Sequence, residues 1–102
     1  MSGKLTKAQK KQHKETVHFR LGETIATEGA IEAVGFERCR ELMMRHYVND
    51  WGDLGKEDKD LNDRALAEGG RLFSCYIVGK EKFYVVTEHD RSKTTIMTAD
   101  EY

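Results

Sequence analysis

The chain contains no proline, one tryptophan and only two cysteines among its 102 residues. Without proline, the turns must be formed by glycine, asparagine and aspartate. Cys39 and Cys75 are far apart and match no metal or redox spacing, and an extracellular disulfide framework would need more cysteines. Cys75 lies in an apolar run, and Cys39 shares a helical stripe with Phe36 and Met43. We therefore predict two buried free thiols in a reducing cytosol.

Long apolar runs are also missing. No stretch approaches the ~18 residues of a membrane span, and the N-terminus lacks the apolar core of a signal peptide. We therefore expect a cytoplasmic protein without membrane contact. Charged residues make up 34% of the chain and hydrophobic residues 38%. These proportions are typical of one small domain with one core.

The charge is unevenly distributed. Residues 1–16 contain one acid, Glu15, and five lysines, which are Lys4, Lys7, Lys10, Lys11 and Lys14. We predict a disordered, solvated tail over 1–16 and a single domain over 17–102. The alternative is a weak, salt-sensitive contact between these lysines and nucleic-acid phosphates. The rest of the chain carries 12 basic and 17 acidic residues, which argues against double-stranded nucleic acid as its main ligand.

β-branched and aromatic residues are concentrated in the last third of the chain. The runs 71–78, 83–87 and 94–97 are close together and predict a three-stranded antiparallel meander. Alternating apolar and polar residues over 17–21 predict a short first strand, and residues 22–26 either continue this strand or turn away from it.

Helical patterns fill the middle of the chain. Thr27 is a suitable N-cap for a helix from Glu28 to Val34, which Gly35 ends. A second helix is predicted over 36–48, with a buried stripe formed by Phe36, Cys39, Met43 and Tyr47. At its edge, His46 is expected to be partly buried and to donate to a backbone carbonyl. A third helix is predicted over 56–68, with Leu61, Ala65 and Leu66 facing inward. The order of these elements indicates an α+β fold, with helices packed on one face of the sheet.

A polar cluster between the last two predicted strands is the only place where residue types alone allow a reaction. Glu88 as base, His89 as acid and Arg91 on a phosphate would suffice for a small metal-independent ribonuclease. The layout resembles the small microbial ribonucleases, although no motif is shared. We favour a turn that Asp90 or Ser92 closes, with Arg91 paired to an acid. Neighbouring side chains on a strand point to opposite faces and cannot meet one substrate.

An acidic segment around the only tryptophan is the predicted partner-binding surface. Its residues are Asp50, Trp51, Asp53, Glu57, Asp58 and Asp60. Trp51 can either anchor the loop in the core or offer an exposed aromatic side chain to a partner. We expect the acids to complement a basic partner surface. No metal-binding or cofactor-binding motif is present.

Several stretches, in order, resemble a family of small plasmid-related proteins of bacterial plasmids and phages. They include Leu21-Gly22, Asp50-Trp51-Gly52-Asp53-Leu54, Gly70-Arg71-Leu72, Val86-Thr87-Glu88, Asp90-Arg91-Ser92, Thr94-Thr95-Ile96 and Glu101-Tyr102. The resemblance covers about residues 18–102. His89 stands where the relatives have alanine, and Glu28 where they often have proline.

The resemblance implies an accessory protein of a mobile element and no known activity. Such proteins often block or retune host machinery, as anti-CRISPR and anti-restriction proteins do. We therefore predict a non-enzymatic protein, monomeric or homodimeric, that binds a host protein or nucleoprotein complex. The ribonuclease and the nucleic-acid-binding tail are the alternatives.

Overall fold

The computed structural model describes residues 16–102, so the predicted lysine-rich tail lies outside the described residues except for Thr16. The elements, in chain order, are β1 (Glu23–Ala26), α1 (Glu28–Tyr47), α2 (Lys56–Glu68), β2 (Leu72–Val78), β3 (Glu81–Thr87), β4 (Lys93–Thr98) and a 3₁₀ turn (Ala99–Glu101). The predicted α+β class is confirmed. The described part of the chain contains no helix whose length and hydropathy would suit a membrane span.

The four strands form one mixed sheet in the order β1-β4-β3-β2. The predicted antiparallel meander is present as β2, β3 and β4. Val78 pairs with Glu81, so the β2–β3 turn has only two residues, and Gly79 supplies the positive φ of 63° that such a turn favours. β1 is the fourth strand, and its parallel pairing with β4 was not predicted from the sequence.

The predicted bounds of the first strand, 17–21, are wrong, and the strand lies in the segment 22–26 that was expected to continue it or turn from it. Residues 16–22 have no regular secondary structure, and the strand begins only at Glu23. The Phe19 ring and the backbone of Val17 anchor this segment to α1 and the loop after α1. The Phe19 ring packs edge-on against His46, with 5.5 Å between ring centroids, and Asn49 accepts a 2.6 Å hydrogen bond from the Val17 N–H. The alternation of apolar and polar residues over 17–21 therefore does not correspond to strand pairing in the sheet.

Helix α1 begins where the sequence placed it and breaks at Gly35. The Thr27 hydroxyl accepts a 3.1 Å bond from the Ala30 N–H, which confirms the predicted N-cap. Gly35 has φ 85° and ψ 161°, so the backbone leaves the helical conformation there and resumes it at once. The structure thus contains one broken helix where the sequence predicts two. Its second half buries Cys39, Leu42, Met43 and His46 against the sheet, but Phe36 is exposed, contrary to prediction.

Helix α2 packs beside the sheet through a polar residue. Leu61, predicted to face inward, is 56% exposed, whereas Asn62 is buried. The Asn62 amide receives the Phe73 N–H at 2.9 Å and donates to the Phe73 carbonyl at 2.8 Å. The helix therefore continues the hydrogen bonding of the sheet with a side chain instead of covering an apolar face.

The outer edge of β2 is closed along its length. Besides the Asn62 pair, the Cys75 N–H donates to the Trp51 carbonyl and the Cys75 carbonyl accepts from the Asp53 N–H. The Asp53 carboxylate accepts the Ile77 N–H at 2.9 Å. Covering an edge in this way prevents it from pairing with another chain.

The two faces of the sheet differ in cover. The face under α1 holds the core, whose buried members are Ala30, Cys39, Leu42, Met43, Tyr76, Phe83, Val85 and Ile96. The other face carries three aromatic rings in mutual contact, Phe73, Tyr84 and Tyr102, with centroids 4.7–5.4 Å apart. Cys39 and Cys75 are buried free thiols, as predicted, and burial raises the pKa of both.

Candidate functional site

A chain of polar side chains runs through the core between α1 and the sheet. His46 Nδ1 lies 2.5 Å from the Ser74 hydroxyl, and its Nε2 lies 2.8 Å from the Thr87 hydroxyl. Thr87 in turn contacts Thr94 at 2.7 Å, and the Thr94 hydroxyl donates to the Leu21 carbonyl at 2.7 Å. The four side chains His46, Ser74, Thr87 and Thr94 have no exposed surface.

The direction of each hydrogen bond follows from the last one. Thr94 gives its proton to a carbonyl, which cannot donate, so Thr87 must donate to Thr94. The only proton left for the contact between His46 and Thr87 is on Nε2. Nδ1 then accepts from Ser74. His46 is therefore a neutral Nε2–H tautomer, which donates to a hydroxyl and not to the backbone carbonyl that was predicted.

Burial, together with the charge of Arg91, lowers the pKa of His46 from 6.5 to about 3. The free energy needed to remove a charged imidazolium from water exceeds what hydrogen bonds to the two hydroxyls recover, so the ring stays neutral at physiological pH. Without solvent access, this histidine cannot exchange a proton with a substrate. The hydrogen-bonded series from Ser74 through His46 to Thr94 joins α1 to three strands and to the segment before β1, and its role is structural.

The polar cluster between β3 and β4 forms a turn. The Arg91 N–H donates to the Glu88 carbonyl at 2.9 Å, and Asp90 accepts the Ser92 N–H at 3.0 Å, as the turn prediction required. The Arg91 side chain, however, does not follow the prediction of an acid partner. Its guanidinium donates to four backbone carbonyls, those of Ala65, Gly70, Glu88 and His89. It thereby joins the end of α2 to this turn.

The three groups of the ribonuclease alternative have different surroundings. The Glu88 carboxylate faces Arg71 at 3.6 Å, while the His89 side chain is exposed to solvent. The Arg91 guanidinium is already hydrogen-bonded to backbone carbonyls. A phosphate bound there would have to compete with these internal hydrogen bonds, so the arrangement favours a structural role for Arg91.

Trp51 lies in the interior, which matches the packing alternative and not an exposed aromatic. Its side chain is 2% exposed, and its Nε1 donates to Asp63 at 3.0 Å. The indole also packs edge-on against His46 with 5.5 Å between ring centroids. The tryptophan therefore fixes the loop between the helices, and it presents no ring to a partner.

The aspartates next to Trp51 are engaged internally as well. Asp50 accepts from Arg45 Nε at 2.6 Å and from the Gly52 N–H at 3.1 Å. These bonds keep the pKa of Asp50 below its usual value, although burial acts in the opposite direction. Asp53 closes the β2 edge through Ile77. Loop composition alone did not reveal these roles.

The remaining predicted acids, Glu57, Asp58 and Asp60, lie on the exposed side of α2. Glu57 and Asp60 line a shallow hollow of about 290 Å³ together with Leu61 and Arg64. These four residues are spaced three and four apart, which places them on one helix face. We call the set Glu57, Asp60, Leu61 and Arg64 the α2 face. Sequence reasoning missed Leu61, although its spacing from Glu57 and Arg64 was the signal.

No metal site accompanies these features in the described residues. Between residues 16 and 102, no group of three or more histidine, cysteine, aspartate or glutamate side chains is arranged to hold a metal ion.

Comparison with known proteins adds no family to these observations. No family model matches the chain, and neither a curated protein nor a solved structure matches it. Function must therefore be inferred from the residues and their contacts, and the resemblance to plasmid-related proteins stays a prediction.

Proposed function

We propose that this protein is a non-enzymatic accessory protein that binds a basic surface of a partner protein through the α2 face. The observation that carries the proposal is Leu61, a large apolar side chain that is 56% exposed and lines the hollow together with Glu57, Asp60 and Arg64. An apolar contact ringed by charges is the usual arrangement of an energetic centre in a protein interface.

The charges of α2 suit a basic partner. Glu57 and Asp58 lie in its first turn, and α2 carries five acidic and three basic residues. Asp60 pairs with Lys56 at 2.9 Å, but both side chains are largely exposed. Since such surface ion pairs contribute little, Asp60 can exchange Lys56 for a partner cation at small cost.

The biological setting is proposed from the family resemblance. An accessory protein of a plasmid or phage would block a host defence protein, in the manner of an anti-CRISPR or anti-restriction protein, by occupying a basic surface sterically. Because Asp50, Trp51 and Asp53 already have intramolecular hydrogen-bond partners, the proposed contact consists of the α2 face together with the neighbouring Asp58.

A matched pair of surface substitutions tests the proposal. Leu61→Ser alters the α2 face, and Ile77→Ser removes a side chain of equal exposure, 54%, from β2. The intact chain is used to capture a partner from host lysate, and the purified partner is then titrated by calorimetry. We expect Leu61→Ser to weaken binding at least about tenfold and Ile77→Ser to leave it unchanged.

The complex should also weaken as salt is added, because opposite charges are screened. Equal affinity for the wild type and Leu61→Ser would contradict the proposed contact. If no partner is captured and RNA is cleaved unless Glu88 is replaced, the ribonuclease alternative takes precedence.

A further inference from the structure

The two edge strands of the sheet, β2 and β1, differ in how their outward backbone groups are hydrogen-bonded. The β2 edge is closed by Asn62, Asp53 and the Trp51 carbonyl. At the other edge, the N–H groups of Glu23 and Thr27 donate to Ser92 and Ile96, so this register directs the peptide groups of Thr24 and Ala26 away from β4. Within residues 16–102, no hydrogen-bond partner meets the outward N–H or carbonyl of Thr24 or Ala26.

A groove lies beside this open edge on the side of α1. It has a volume of about 180 Å³, and its lining includes Thr24, Ala26, Phe36 and Met43. Phe36 directs a ring that is 61% exposed toward this space. A further strand added to β1 would place its own side chains in this groove and would cover Phe36.

We propose that a second copy of this chain occupies the edge, with the two β1 strands antiparallel about a two-fold axis at Ile25. This register sets Thr24 opposite Ala26 of the second copy, and Ala26 opposite its Thr24. Each is a hydrogen-bonded pair that exchanges two N–H···O bonds, so all the outward groups of both residues are satisfied. The two sheets become one.

A second copy fits better than an unrelated strand because the flanking helix surface is self-complementary. Glu37 and Arg40 lie 3.8 Å apart on the exposed side of α1, and Arg40 also lines the groove. A two-fold axis normal to the sheet sets the two α1 helices antiparallel on the same face. Each Arg40 then approaches the other copy's Glu37, and the two exposed Phe36 rings are covered together.

Paired substitutions at Thr24 test the interface in the intact chain. Thr24→Pro removes the outward N–H, and proline is tolerated at sheet edges, whereas Thr24→Val retains the N–H and the branched shape. Molar mass is measured by sedimentation equilibrium over a wide concentration range. We expect the wild type and Thr24→Val to reach twice the 11.7 kDa chain mass, and Thr24→Pro to require at least about tenfold higher concentration.

Phe36→Asp supplies a second variant that leaves the backbone unchanged, and we expect the same shift in dissociation. Far-ultraviolet circular dichroism checks that each variant is folded. A wild type that remains monomeric, or a dimer unaffected by both Thr24→Pro and Phe36→Asp, would overturn the proposal. Leu61→Ser should dimerise normally, because α2 lies at the opposite edge of the sheet, so this interface and the proposed partner contact fail independently.

Discussion

Acidification from pH 7.5 to pH 5 should destabilise the protein mainly through His46. The pKa of His46 is 6.5 when the chain is unfolded and about 3 in the folded protein. Because the folded value is lowered, the unfolded state takes up a proton first, and stability is lost as pH falls from 6.5 toward 3. At pH 5 the loss from this group is about 2 kcal/mol, and any folded pKa below about 4 gives nearly the same value.

The assay is urea unfolding monitored by Trp51 fluorescence. Trp51 is the only tryptophan, and it contacts the His46 ring, so its emission reports the region that titrates. His46→Gln is the control, since a neutral amide can donate to Thr87 without titrating. We expect this variant to be less stable than the wild type at pH 7.5 but to lose much less stability between pH 7.5 and pH 5.

The window between pH 7.5 and pH 5 separates His46 from the acids. The pKa values of Asp50, Asp90 and Glu101 are lowered from 3.8, 3.8 and 4.5, so their stabilising interactions are lost only at lower pH. A change in the free energy of unfolding below about 0.5 kcal/mol over this window would refute a neutral, buried His46. An equal loss in His46→Gln would assign the effect to other groups.

Two further pairs of substitutions, each a test and its control, probe internal contacts by the same urea assay. Arg91→Lys should lower the free energy of unfolding by about 1–2 kcal/mol, because one ammonium group cannot reach the four carbonyls. The control Arg71→Lys, at the ion pair with Glu88, should lower it by less than about 0.5 kcal/mol. Equal losses would count against the capping role of Arg91. Gly52→Ala should lower the free energy of unfolding by more than about 3 kcal/mol, since Gly52 has φ 78° and a Cβ there would collide with the Cys75 carbonyl. The control Gly55→Ala places its Cβ in open space and should lower the free energy of unfolding by less than about 1 kcal/mol. A mild Gly52→Ala would show that the loop can move away from β2.

Local patterns predicted the meander and the start of α1 because their causes are local. Strands β2 to β4 are joined by short turns, and Thr27 caps the helix that follows it directly. The position of β1 depended on a parallel pairing with β4, some 70 residues away along the chain. Such a pairing leaves no signal in the spacing of the residues that precede α1.

The candidate site was predicted less well, for a related reason. Asp53 and Asn62 look like ordinary polar surface residues, yet both satisfy the backbone of β2. The inward prediction for Leu61 failed because Asn62 took the contact with the sheet, which turned the neighbouring residue outward. A residue's identity states which bonds it can form, but the fold determines which groups it meets.

The closed edge of β2 limits how far the sheet can be extended. A sheet with two open edges can add copies without end and grow into a fibre, whereas a sheet with one open edge is exhausted by a single pairing. In the proposed pair, Asn62 and Asp53 would therefore prevent further copies from adding at the β2 edge. A substitution that uncovers the β2 edge would be expected to convert a finite pair into an open-ended polymer.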